Sequence, residues 1–60
     1  MSLKIDIFIM EYKTTVSLLE TDEAFYKKLR EYLSARMARA KITLINEFIE
    51  KLEELNEINH

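Results

Sequence analysis

Leu3, Ile5, Ile7 and Ile9 alternate with Lys4, Asp6, Phe8 and Met10, and beyond a polar gap Thr14, Val16 and Leu18 alternate with Lys13, Thr15 and Ser17. A period of two belongs to extended backbone, where successive side chains point to opposite faces. The first eighteen residues therefore predict strand, as one long element or two. A hairpin between the two runs would turn near residues 11–13, without the Asn-Gly or Asp-Gly pair that tight turns favour. Within the second run, KTTVSL, the polar face carries Lys13, Thr15 and Ser17.

From Thr21 the period changes. Thr21 is a candidate N-cap, Asp22 and Glu23 suit the positive end of a helix dipole, and Phe25, Leu29, Tyr32 and Leu33 recur at helical spacing. Glu23 with Lys27, and Lys27 with Glu31, stand one turn apart. A second apolar group, Leu44, Ile45, Phe48, Ile49 and Leu52, lies roughly 130° around the helix from the first, so one straight helix would not keep both on one core. A break within residues 39–42 removes the conflict. Thr43 can cap the second helix, and the β-branched Ile42 and Thr43 weaken continuation. Against a break, Ala35, Ala38 and Ala40 are strong helix formers, and the chain has no glycine to end a helix.

Sixty residues make a single domain, read as an extension of β type at 1–12 followed by strand, helix and helix at 13–58. A domain this small buries only about 60% of the surface its unfolded chain exposes. With no cysteine to form disulfides or thiolate metal sites, association is the expected way to complete the core. The apolar run at 5–10 is too short to cross a bilayer and lacks a secretory cleavage pattern, so a cytoplasmic protein without a membrane partner is expected. The net charge is −2, yet the six cations Lys27, Lys28, Arg30, Arg36, Arg39 and Lys41 share their stretch with the single anion Glu31. Such a run permits a basic surface, although charged runs are more commonly solvated helix faces.

Strand, helix, turn and capped helix is the order of the ribbon-helix-helix family of Arc and MetJ type. Residues 13–55 resemble it: KTTVSL is similar to the ribbon, TDEAFYKKLREYL to the first helix and TLINEFIEKLEEL to the second, with Thr43, Asn46, Glu47, Phe48 and Ile49 matching the start of that helix. The resemblance implies a mainly α fold with one short strand, an obligate dimer joined by an intersubunit antiparallel β-ribbon, and double-stranded DNA as partner. It further implies major-groove reading by Lys13, Thr15 and Ser17 and phosphate anchoring by Lys41, Thr43 and Leu44. The function it implies is that of a transcriptional repressor. The chain departs from the family in its amino-terminal run, in its longer first helix and in the absence of a turn glycine.

Catalysis is not expected. The only histidine is His60, read as a frayed chain end, and the carboxylates of the last helix stand at surface spacing without partners to tune them. No cofactor or metal is expected either, since there is no glycine for a phosphate loop and no cysteine or clustered histidine. The alternative function is a non-enzymatic protein-interaction or assembly module, with a strand or hairpin and a long helix that oligomerises or docks on a protein partner. The apolar run at 3–10, which the ribbon reading leaves unused, motivates it. An antitoxin that neutralises a toxin through its acidic tail is a third reading.

Overall fold

The computed structural model describes residues 2–58, with side chains from Lys4 to Ile58; His60 lies outside them. The chain forms two α-helices, α1 (Ser2–Lys28) and α2 (Tyr32–Ile58), each of 27 residues, folded back on one another as a helical hairpin. The hairpin measures 45 × 14 × 9 Å. At about 1.5 Å of rise per residue, 27 residues span about 40 Å, so the long dimension is one helix.

This corrects the strand-helix-helix expectation. There is no strand among the described residues, so the intersubunit ribbon and the β-type extension at 1–12 are absent, and KTTVSL lies in the middle of α1. The predicted break near residue 40 is also absent: α2 runs unbroken through residues 35–45, and the chain turns at 29–31. Neither proposed cap is a cap. Thr21 Oγ1 donates to the Ser17 carbonyl and Thr43 Oγ1 to the Arg39 carbonyl, both at 3.1 Å, which are bonds of threonine inside a helix. Thr14 and Thr15 do the same to Met10 and Glu11.

Helix prevails because another period, masked by the alternation, supplies a longer apolar stripe. In α1 the residues turned from solvent are Ile5, Ile9, Tyr12, Val16, Leu19, Glu23 and Tyr26, spaced alternately by four and three. In α2 they include Ala35, Ala38, Ile42, Ile45, Ile49, Leu52 and Asn56, spaced alternately by three and four. Both are heptad seams, with Ile9, Val16 and Glu23 at position a of α1 and Ala35, Ile42, Ile49 and Asn56 at position a of α2. A β-branched residue costs a few tenths of a kcal/mol in a helix, whereas burying one large apolar side chain contributes about 1.5–3 kcal/mol. Burial along the seam therefore outweighs strand propensity.

Cross-helix contacts set the register. The rings of Tyr12 and Phe48 meet edge to face at 5.3 Å, Arg39 reaches Glu23, and Asn56 Nδ2 donates to Asp6 Oδ1 at 2.6 Å. These set Ile9 level with Leu52, Val16 with Ile45, Leu19 with Ile42, Glu23 with Ala38 and Tyr26 with Ala35. The alanines lie near the turn, where their small side chains leave room for Glu23 and Tyr26. Ile42, at 1% exposure, is the most deeply buried large side chain.

The turn needs no glycine. Arg30 takes φ 62°, its amide donates to the Lys27 carbonyl at 3.1 Å, and the Glu31 amide donates to the Tyr26 carbonyl at 2.9 Å. This pair of bonds is a Schellman ending with Arg30 as the left-handed residue. The Glu31 carbonyl then accepts from the Ala35 amide, so Glu31 opens α2 as α1 closes. Lys27 and Lys28 in the last turn of α1 and Glu31 at the start of α2 each complement the nearer helix dipole.

Two stability measurements check this architecture. Arg30→Gly removes the steric cost of a left-handed non-glycine residue and should raise unfolding stability by about 1 kcal/mol in denaturant titration. Ile42→Ala should lower it by about 2–4 kcal/mol, whereas a residue in a solvent-facing turn at that position would tolerate alanine.

Candidate interaction surface

A hairpin has two broad sides, flanked in each helix by the e or the g positions of the heptad. On one side the e positions of α1 are Asp6, Lys13, Glu20 and Lys27, all charged. Those of α2 are Tyr32, Arg39, Asn46 and Glu53. Lys13 meets Glu53 at 3.4 Å with both side chains about half exposed, a pair worth about 0–1 kcal/mol.

The cluster nearest the turn is different, because one partner belongs to the core. Glu23 occupies an a position at 7% exposure, the one buried charged residue among those described. Arg39 clamps it with two bonds, Nη2 to Oε1 at 2.6 Å and Nε to Oε2 at 3.0 Å, and Lys27 stands 3.7 Å from Oε2. The Arg39 hydrogen bonds hold the Glu23 carboxyl below its ordinary 4.5; burial opposes this, and the charges of Arg39 and Lys27 add to the lowering. The same bonds raise the Arg39 guanidinium above its ordinary value. Alanine at 35 and 38 makes this charge possible in the seam, since larger residues would fill the space that Glu23 occupies.

The other side carries most of the exposed apolar residues. In α1 Phe8, Leu18 and Phe25 fall at c and g positions, Leu29 continues that line just past its end, and in α2 Met37, Leu44, Phe48, Leu55 and Ile58 do so. Every one is exposed, so nine of the thirteen large hydrophobic residues standing in solvent share one side. Scattered exposed apolar residues need no explanation, but a contiguous patch of this kind marks an interaction surface. A groove lined by Asp22, Tyr26, Ser34, Met37 and Lys41, among others, runs along this side near the turn.

The residues expected to read DNA do not all come together. In a helix every second residue turns by about 200° and every fourth by about 40°, so Lys13 and Ser17 stand one turn apart on the charged flank of α1 while Thr15 points to the apolar side. Lys41 and Leu44 lie on the apolar side of α2, and Thr43, in the interior of that helix, has no free helix N-terminus beside it. The expected Glu23–Lys27 pair is present, whereas Arg39, read as solvated, holds a buried carboxylate. A heptad count from Ile5 would have placed Glu23 in the seam and pointed to a cationic partner.

No protein-family model, curated protein or solved structure matches the chain. Among the described residues, no helix is long and apolar enough to cross a membrane.

The Glu23 clamp carries a pH signature. A carboxyl whose folded-state pKa lies below its unfolded value contributes stability that is full above about 4.5 and lost as pH falls through the folded pKa. Glu23→Gln abolishes that titration. The variant should be less stable than the parent at neutral pH, and the gap should narrow below pH 4.5 in chemical denaturation followed by circular dichroism.

Proposed function

We propose that this chain is a non-enzymatic assembly module of the cytoplasm: a helical hairpin whose apolar c/g side seats helices of a protein partner. The observation that carries the reading is the contrast between the two sides, one with a charged residue at every e position of α1 and the other with exposed Phe, Leu, Met and Ile. The depth of the molecule supports it. At 9 Å in its smallest dimension, the hairpin is a single layer, and a layer of amphipathic helices is ordinarily completed by a second one. Apolar residues at c and g of α2, namely Met37, Leu44, Phe48, Leu55 and Ile58, repeat the alternation of a seam with Lys41 and Lys51 interspersed. That is the pattern of a helix with two seams, one used within the hairpin and one left for another helix.

Lysine footprinting tests the reading without presupposing the partner. The chain would be labelled by an amine-reactive reagent in extract of the cells that produce it and, separately, as purified protein diluted to nanomolar concentration. Lys41 and Lys51 on the apolar side should react more slowly in extract than in dilute solution, with Lys13 and Lys28 unchanged. Equal labelling of all four in both conditions would overturn the assembly role.

A further inference from the structure

The partner that fits the apolar side is a second copy of this chain, and the charges along the two stripes specify how it lies. We infer that two hairpins pair through their apolar sides about a two-fold axis parallel to the helices, with both turns at the same end, so that α1 of each copy packs on α2 of the other. The inference rests on the assembly reading above and adds its occupant and geometry.

A two-fold axis that brings like sides together must lie in the plane of contact, either along the helices or across them. With the axis along the helices, α1 meets the partner copy's α2 in the same register that it keeps within its own hairpin. Leu18 then stands level with Leu44, Phe25 with Met37 and Phe8 with Leu55. Both acidic residues of the stripes also match a lysine, Glu11 level with Lys51 and Asp22 with Lys41, while Lys4 at the open end falls level with Ile58. With the axis across the helices and through their midpoints, α1 meets α1 and α2 meets α2. Lys41 would then oppose Lys51, Phe8 would oppose Asp22, and Glu11 would oppose Leu18. One arrangement pairs both acidic residues of the α1 stripe with lysine, and the other places lysine against lysine and leaves both carboxylates facing apolar side chains. Like charges brought together in an interface cost several kcal/mol, which decides orientation more firmly than apolar contact does.

Two further features agree. Among the described residues, Glu11, Asp22 and Lys41 have no ion-pair partner, and Lys51 has only a distant contact, 3.9 Å, with Glu54. Glu11 and Lys51 occupy c positions, which diverge on the outer flanks of a single hairpin and can meet only between copies. The area is also of the right size. The chain exposes 4974 Å², against roughly 4,100 Å² for a compact monomer of its mass, an excess near the ~800 Å² that each partner contributes to a stable interface.

The chain has no cysteine, so Lys28→Cys on the outer face of α1 gives one spin-label site per copy, near the turn. At about 100 μM, where a low-micromolar pair is formed, pulsed dipolar spectroscopy should give a label separation below about 30 Å if the turns share an end. Turns at opposite ends would give about 40 Å, one helix length, and would overturn the arrangement while leaving the assembly reading intact. A monomer by sedimentation overturns the second copy as occupant; the lysine footprint then decides separately whether the apolar side serves another protein. In the same assay Lys51→Glu should weaken pairing about tenfold or more, since both symmetric sites lose a pair and gain a repulsion. Adding Glu11→Lys to that chain should restore it. Failure of this rescue, with helix content unchanged, counts against the register.

Discussion

Two helices can cover one another along one stripe each, and everything else in this molecule follows from which stripe is used. The seam from Ile5 to Tyr26 on α1 and from Ala35 to Asn56 on α2 is the only apolar surface the hairpin can hide within itself. Its alternation of three and four residues fixes each helix in rotation, and the cross-helix contacts fix it in translation. Once both are fixed, the remaining side chains have no freedom in where they point. The charged e residues of α1, with Arg39 and Glu53 of α2, form one side, and the apolar residues at c and g form the other. The one-sided surface is thus a geometric result of the core and needs no separate device to orient it.

Within that seam, Glu23 is the position where stability and specificity separate. An apolar residue against Ala35 and Ala38 would avoid the desolvation of a carboxylate, and buried ion pairs are often no better than apolar packing of similar volume. The two hydrogen bonds from Arg39 confine this layer to one alignment, because any slip of α1 along α2 would leave Glu23 buried without its partner. Asn56 has a related place near the open end, where its Nδ2 is bound to Asp6 and its buried Oδ1 has no partner. A seam with a polar member toward each end resists sliding in a way that a uniform row of leucines does not.

The sequence made helical character legible from Thr21 onward and misled before it. Ile5, Ile7 and Ile9 satisfy a period of two, yet Ile5 and Ile9 are also one helical turn apart, and only the continuation through Tyr12, Val16 and Leu19 distinguishes the two. KTTVSL read as strand because threonine and valine favour it, but in tertiary context two of its three hydroxyls bond back to the helix and Val16 joins the seam. The displaced break at residue 40 has a related origin. Weighing the large residues Phe25, Leu29, Leu44 and Phe48 produced two stripes that disagreed in direction, whereas the core of α2 begins with alanines, which such weighting overlooks. All four large residues are exposed. The true turn was hidden because Arg30 occupies a conformation usually advertised by glycine. Of the surface, the run of charged e positions could have been found by counting sevens from Ile5.

The row Asp6, Lys13, Glu20 and Lys27 has a consequence for the size of any assembly this chain can enter. A single-layer slab with two adhesive sides adds copies on both and grows into an open stack, since nothing in its geometry says when to stop. A slab with one adhesive side is used up by its first neighbour. In the proposed pairing the charged side would therefore act as a terminator: it would present water-loving groups outward after one layer had been added, and confine growth to a closed particle of two layers.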